Sequence, residues 1–107
     1  MVVINNEVKE IDLGEGLTRK ILAHDGKMMA VEVSFKKGSI GALHTHEHEQ
    51  ISYVLEGKFE LNMAGEKSII TKGDTYYTKP NLEHGVVALE DGKLLDIFTP
   101  QREDFLK

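Results

Sequence analysis

The middle of the chain carries a dense group of side chains that can bind a metal ion. His44, His46 and Gln50 follow one another at spacings of two and four residues. On an extended backbone, side chains two residues apart project to the same face, so these three can point toward one centre. Imidazole nitrogens and amide oxygens are both ligands that divalent first-row metals accept. The stretch therefore predicts a metal centre.

A fourth candidate ligand lies far away in the sequence. His84 comes 34 positions after Gln50, behind two turn signals. Three imidazoles and one amide leave coordination positions open for water or substrate, which is typical of a catalytic rather than a structural metal site. The alternative interpretation is a surface histidine pair at His44 and His46, and the presence of His84 favours metal binding over it.

Four other polar residues do not fit the ligand pattern. His48 is expected to be a solvent-facing loop residue, and His24 to be a turn or rim residue at the end of a strand. Glu47 and Glu49 should fall on the face opposite to the ligands, where they are exposed or support the ligands from outside.

The amide of Gln50 carries chemical information of its own. A carboxylate would neutralise one charge of a divalent ion, whereas an amide neutralises none. The ion should therefore stay a stronger Lewis acid and be less suited to a higher oxidation state. This favours polarisation of a bound hydroxyl, carbonyl or carboxylate over activation of oxygen.

Two charged residues near the C-terminus are candidates for the rest of the site. Asp96 interrupts an otherwise apolar strand, which is costly unless the carboxylate is paired, solvated or functional. Arg102 follows Pro100, where the chain can turn back over the mouth of a barrel and bind a carboxylate with two hydrogen bonds. The alternatives are a nearby cation or a turn for Asp96, and a surface salt bridge to Glu103 or Asp104 for Arg102.

The elements that must position these residues read as short β-strands. Hydrophobic residues alternate with period two, as in residues 29–35 and 59–63, and glycine-containing turns recur along the chain. This pattern predicts one all-β domain over residues 1–107, a small antiparallel barrel or sandwich. A short helical turn is expected within residues 101–107. The expected strands are residues 8–12, 18–24, 28–35, 43–46, 51–55, 58–63, 67–71, 75–78, 85–89 and 93–99.

Composition excludes several classes of function. The net charge of −5 argues against a protein that binds the phosphate backbone of nucleic acids. The chain has no cysteine, so disulfides, thiolate metal sites and cysteine nucleophiles are excluded. Neither a secretory signal nor a membrane span is recognisable, and we expect a cytoplasmic protein that does not associate with a membrane.

The spacing of these residues resembles two known sequence motifs. Gly38-x5-His44-x-His46-x3-Gln50-x6-Gly57 is similar to the first cupin motif, and Gly73-x6-Pro80-x3-His84 is similar to the second. The resemblance implies a single-domain cupin, a small antiparallel barrel or jelly roll that binds one metal ion and is often dimeric. The usual fourth ligand of the family is glutamate, and this chain has Gln50 in its place.

A narrower group shares that glutamine. The runs His46-x-His48-Glu49-Gln50-Ile51-x-Tyr53-Val54-Leu55-Glu56-Gly57 and Asp96-x-Phe98-x3-Arg102 resemble the KdgF group of pectin-degradation cupins. This resemblance implies ring opening of 4,5-unsaturated uronate monosaccharides from pectin or alginate to the linear 5-keto-4-deoxyuronate. It also implies metal ligation by His44, His46, Gln50 and His84, and functional roles for Asp96, Phe98 and Arg102.

These residue types fit the implied chemistry. Arg102 would bind the substrate carboxylate, Asp96 would move a proton, and Phe98 would form an apolar wall against the sugar ring. Tyr53 and Tyr77 are either pocket hydroxyls or core residues.

Other functions stay open from the sequence alone. One alternative is a metal-dependent dioxygenase, and another is a non-catalytic sugar-binding cupin. The metal can be nickel, zinc, manganese, cobalt or iron, since the donor set accepts all of them. A homodimer is expected from the family and from exposed strand edges, with Val2–Asp12 as a segment that can pair with a partner.

Overall fold

A computed structural model describes residues 1–107 and is built almost entirely of strands. Two 3₁₀ turns, Asn5–Glu7 and Glu103–Leu106, lie near the termini, and neither has the length and apolar character needed to cross a membrane. The strands are β1 (Ile11–Gly14), β2 (Leu17–Asp25), β3 (Met28–Phe35), β4 (Ile40–His44), β5 (Glu49–Glu56), β6 (Lys58–Met63), β7 (Glu66–Thr71), β8 (Thr75–Thr78), β9 (His84–Ala88) and β10 (Gly92–Thr99).

Alternation together with the glycine-containing turns predicted all ten strands, although some ends differ. The first strand begins at Ile11 rather than at residue 8, because its pairing with β2 starts at Ile11, opposite Arg19. The turn Asn5–Glu7 precedes it. That turn is anchored by the Lys20 ammonium, which donates hydrogen bonds to the backbone and side chain of Asn5. The predicted piece 43–46 is instead the end of β4, which runs from Ile40 to His44. The predicted helical turn is confirmed as a single 3₁₀ turn.

The strands form two antiparallel sheets, as the prediction of a jelly-roll barrel required. One sheet has the order β1-β2-β3-β10-β5-β8, and the other has the order β4-β9-β6-β7. Both sheets contribute to the main core, which contains Phe35, Val54, Phe59, Leu61 and Leu94. A smaller cluster of Met29, Val31 and Phe98 fills the other end of the larger sheet. The inward faces of β5 and β10 border both clusters.

A glycine allows the close contact between β4 and β9 that positions His44 and His84. Gly85 lies beside β4, and a Cβ atom there would come within 2.7 Å of the Gly41 carbonyl oxygen. Because only a glycine permits this approach, β9 can pair closely with β4. The pairing places His84 directly opposite His44.

Candidate metal and catalytic site

Residues from both sheets meet at one end of the barrel. His44 is the last residue of β4 and His84 is the first residue of β9, so they are neighbours in the four-stranded sheet. Gln50 lies on β5 in the six-stranded sheet, and its side chain is buried. His46 lies in the loop that joins the two sheets. Strand phase alone therefore does not explain its position, because the chain leaves β4 before reaching it.

The three histidine rings form a compact group. The ring centroids are separated by 4.5 Å for His44 and His84, 4.9 Å for His46 and His84, and 5.3 Å for His44 and His46. One ligand nitrogen from each ring lies within 4.8 Å of the other two. His46 and His84 are buried, whereas His44 is exposed and leaves the group open on one side. This arrangement can hold one metal ion with room for a further ligand.

Backbone carbonyls fix the orientation of all three rings. The Nδ1 atoms of His44, His46 and His84 lie 2.8, 2.9 and 2.9 Å from the carbonyl oxygens of Ala42, His48 and Leu82. A carbonyl can only accept a hydrogen bond, so each Nδ1 carries the proton and each Nε2 keeps a free lone pair. A histidine held in this way presents Nε2 to a metal.

Two further observations fit a cation at this position. The Nε2 atom of His84 is buried and has no hydrogen-bond partner. The Nε2 atom of His46 lies 2.9 Å from Oε1 of Gln50, and with the proton on Nδ1 both facing atoms carry lone pairs. Unpaired or opposed acceptors inside a protein are costly, and a shared metal ion would satisfy them. The residues present therefore fit the metal that the sequence predicts.

Burial keeps two of these imidazoles neutral at neutral pH. It lowers the pKa of His84 to about 4. The pKa of His46 is also lowered, first by burial and then by the positive charge of Arg102. Neutral imidazole is the form that binds metal ions.

A chain of hydrogen bonds connects Gln50 to Asp96. The Gln50 amide nitrogen donates to Oγ of Ser52 at 2.8 Å, and the Ser52 hydroxyl donates to the Asp96 carboxylate at 2.6 Å. Burial raises the pKa of Asp96 to about 6, and the hydrogen bond from Ser52 offsets only part of this effect. Asp96 therefore titrates close to neutrality, where a carboxyl group can both accept and donate a proton.

Tyr76 adds a second buried hydroxyl beside this chain. It lies opposite Ser52 in the pairing of β5 with β8. Burial raises the pKa of Tyr76, and the charge of Asp96 raises it further. The phenol therefore stays protonated and can only act as a neutral hydrogen-bonding group at physiological pH.

The C-terminal turn closes the mouth of the barrel with aromatic and cationic groups. Phe105 packs edge-on against Phe98, with ring centroids 5.9 Å apart. The guanidinium carbons of Arg19 and Arg102 lie 3.9 and 4.2 Å from the centre of the Phe105 ring. Arg102 donates two hydrogen bonds to Asp104, at 3.0 and 2.9 Å. This ion pair is the alternative that the sequence left open for Arg102.

The polar groups and the aromatic closure enclose one cavity. Its volume is about 170 Å³, below the ~300–1,000 Å³ of pockets for drug-sized ligands, so it suits a small molecule. Its lining includes His44, Gln50, Tyr76, His84, Asp96, Phe98, Arg102 and Phe105. A larger depression of about 540 Å³ lies elsewhere and is lined by five carboxylates and one lysine. No histidine lines the larger depression, whereas His44 and His84 line the smaller cavity, so the smaller cavity is the candidate site.

Some residues singled out in the sequence lie elsewhere than expected. Tyr53 and Tyr77 belong neither to the site cavity nor to the core, because both lie exposed on the outer face of the larger sheet. His48 is half-buried rather than solvent-facing, and its ring packs against Phe98. Glu47 and Glu49 are exposed, and Glu49 hydrogen-bonds to Tyr77 outside the barrel.

Sequence reasoning missed Ser52, Tyr76 and Arg19. Ser52 follows Gln50 by two residues on β5, so strand phase would have placed it on the ligand face. Tyr76 and Arg19 gave no comparable signal, because each depends on which strand lies beside the site.

Comparison with known proteins identifies relatives over nearly the whole chain. The profile of the Cupin domain family matches residues 31–98. The pectin degradation protein KdgF of Dickeya dadantii (strain 3937) is 47% identical over 105 residues, which is 96% of each chain. The structure of KdgF from Halomonas sp. has a TM-score of 0.94 at 42% identity and covers 98% of this chain and 97% of that one. A RmlC-like cupin from Shewanella frigidimarina NCIMB 400 gives 0.95 at 39% identity, with 97% and 94% covered.

Replacement of Asp96 by asparagine should stabilise the metal-free protein at neutral pH. The raised pKa of Asp96 means that the folded protein binds this proton more tightly than the unfolded chain does. Wild-type stability therefore falls as the pH rises from about 4 to 6, and Asp96→Asn avoids this loss. We expect the free energy of unfolding to increase by up to about 3 kcal/mol above this range, and the difference to disappear below it. Urea denaturation in the presence of a chelator, as a function of pH, measures this effect.

The matched control is Asp104→Asn. Hydrogen bonds from Arg102 lower the pKa of Asp104, so this substitution should reduce stability above its pKa rather than increase it. A difference between wild type and Asp96→Asn that does not change with pH would contradict the assigned role of the Asp96 charge.

Proposed function

The chain belongs to the cupin family and, within it, to the group of the pectin degradation protein KdgF, and on this premise we propose that it opens the ring of 4,5-unsaturated uronate monosaccharides. The product would be the linear 5-keto-4-deoxyuronate, an intermediate in the breakdown of pectin or alginate. The proposed cofactor is one divalent transition metal ion bound by His44, His46, Gln50 and His84. The cytoplasmic location expected from the sequence stays a prediction.

One observation carries this proposal. A carboxyl group with a pKa near 6, Asp96, lines the same small cavity as the exposed side of a histidine triad. Ring opening of such a sugar needs a polarised oxygen and a group that exchanges protons near neutral pH. It needs no oxidant, because substrate and product are isomers. With a metal ion bound, the site would supply both requirements within one enclosed volume.

Asp96 would carry the proton transfers. The proton leaves the anomeric hydroxyl while the bond between the anomeric carbon and the ring oxygen breaks, which produces an aldehyde and an enolate. The enolate then takes up a proton on carbon 4 to become the ketone. Asp96 can receive the first proton and return one in the second step, since its pKa lies close to the working pH. The metal ion, when bound, polarises the substrate oxygens as a Lewis acid.

Arg102 and Phe98 would orient the sugar. Arg102 uses Nε and one terminal nitrogen to bind Asp104, which leaves its other terminal nitrogen free for the substrate carboxylate. Its side chain is only 11% exposed, so a charged hydrogen bond there would be protected from water. Phe98 is buried in the same lining and offers an apolar surface to one face of the ring.

A homodimer is part of the same proposal, and its support is an apolar row on the outer face of the larger sheet. Register places Ala30, Ile97, Ile51 and Tyr77 side by side across β3, β10, β5 and β8. Ile51 and Tyr77 are 51% and 52% exposed. A two-fold interface uses the same patch on both copies, and an apolar row is complementary to itself. We therefore infer that a second copy covers this face, rather than pairing at Val2–Asp12.

The metal centre is tested first by removal of one ligand. His84→Ala should weaken binding of added Ni²⁺ or Zn²⁺ to the metal-free protein by ~100-fold or more, because loss of a ligand exceeds the 10–100-fold effects of supporting residues. Isothermal titration calorimetry measures this. His24→Ala is the control, since His24 is a half-buried histidine that lies outside the site. Equal affinities for wild type and His84→Ala would rule out the proposed ligand set.

The reaction is tested by loss of the ultraviolet absorbance of a 4,5-unsaturated uronate. The metal-loaded protein should accelerate this loss above the spontaneous rate, also without oxygen. Asp96→Asn should lower kcat by ~10²–10⁴-fold, the usual contribution of a general acid–base group. Asp25→Ala removes an exposed carboxylate away from the cavity and should leave kcat unchanged. Oxygen consumption during turnover would indicate a dioxygenase instead, and binding without turnover would indicate a sugar-binding protein.

The dimer is tested by a charge placed in the apolar row. Wild type should sediment as a dimer at micromolar concentration, and Ile51→Lys should sediment as a monomer. Ile69→Lys is the matched control, because Ile69 is 53% exposed but lies on β7 in the other sheet. A wild-type monomer, or a dimer that both variants retain, would contradict the assignment of this face.

A further inference from the structure

We propose that Ser52 is a positioning residue that holds the amide of Gln50 with its oxygen toward the metal position. This inference rests on the proposed metal centre and extends it by one residue. The side-chain hydrogen bonds of Ser52 run to Gln50 and Asp96, and none runs to a histidine. Its role would be to determine whether the oxygen or the nitrogen of the Gln50 amide faces the metal ion.

Ser52 lies on β5, between its neighbouring strands β10 and β8. It is fully buried, with 0% exposure, on the inward face of β5. Register places it directly opposite Asp96 on β10 and opposite Tyr76 on β8. Two residues earlier on the same face of β5 is Gln50. The hydroxyl therefore lies between the proposed ligand and the proposed proton carrier.

The chemistry of the chain fixes the direction of each hydrogen bond. An ionised carboxylate can only accept hydrogen bonds, so the Ser52 hydroxyl donates its single proton to Asp96, at 2.6 Å. The Ser52 oxygen is then left as an acceptor, and it takes a hydrogen bond from the Gln50 nitrogen at 2.8 Å. An amide that points its nitrogen toward Ser52 must point its oxygen the other way. That oxygen faces Nε2 of His46.

Nothing on the histidine side enforces this orientation. The Nδ1 proton of His46 is committed to the His48 carbonyl, so Nε2 can accept a hydrogen bond. A reversed Gln50 amide would donate to that nitrogen and be favourable in the metal-free protein. The reversed amide presents an NH₂ group, which cannot bind a metal ion. Ser52 and Asp96 therefore oppose an orientation that would remove one ligand.

Metal affinity tests this inference without reference to catalysis. We expect Ser52→Ala to weaken binding of Zn²⁺ or Ni²⁺ to the metal-free protein by ~10–100-fold, the effect of residues that orient metal ligands. Thr78→Val is the matched control. Thr78 is likewise fully buried, lies opposite Gln50 on β8, and its hydroxyl donates a hydrogen bond to the sulfur of Met63. The metal affinity of Thr78→Val should stay within ~3-fold of that of the wild type.

A second comparison separates orientation of the amide from general support of the fold. Gln50→Glu replaces the amide by a carboxylate with two equivalent oxygens, so no orientation is left to fix. In that background Ser52→Ala should change metal affinity by less than ~3-fold. A merely structural serine would produce the same loss in both backgrounds.

The outcomes distinguish this inference from the proposed function. If wild type binds neither metal, the metal centre itself is wrong. If wild type binds and a folded Ser52→Ala binds equally well, the role of Ser52 is overturned while the metal centre stands. An equal loss for Ser52→Ala in the wild-type and Gln50→Glu backgrounds also overturns it.

Discussion

A carboxylate held inside the barrel at Asp96 determines the arrangement of the polar groups around it. Because it can only accept hydrogen bonds, it sets the direction of the bond from Ser52 and, through Ser52, the orientation of Gln50. Burial raises the pKa of Asp96 to about 6 and therefore makes its charge costly at neutral pH. The rest of the structure has to hold that group in place.

The pairing of β5 with β10 provides this support. It places Ser52 opposite Asp96 and Gln50 opposite Phe98, so ligand, hydroxyl, carboxyl and aromatic wall belong to two neighbouring strands. The histidines come from the other sheet and from the loop between the sheets. A site built across two sheets exists only when the barrel is closed, which couples the geometry of the proposed metal ligands to folding of the whole domain.

Much of this could be predicted from the sequence, and the failures have physical reasons. Alternation located β3, β5 and β6 because each has one buried face, and spacing predicted that His44, His46, Gln50 and His84 share one site. The interpretation of Tyr53 as a pocket residue was wrong although the information was present, since it lies out of phase with Gln50 on the same strand. Contacts that depend on the order of strands in a sheet, such as those of Tyr76 and Arg19, could not be predicted from a single amino-acid sequence.

Asp96 also shows why function and stability make opposite demands on this fold. An apolar or amide side chain at its position would fit the surrounding strand better, because burial penalises the ionised carboxylate. The same penalty moves its pKa to the range in which it can exchange protons near neutrality. Moving Asp96 toward solvent would relieve the cost and return its pKa to the ordinary range, where a carboxyl group no longer holds a proton near neutral pH. The destabilising charge is therefore a requirement of the proposed chemistry, and Ser52 limits its cost by donating to it while orienting the ligand on its other side.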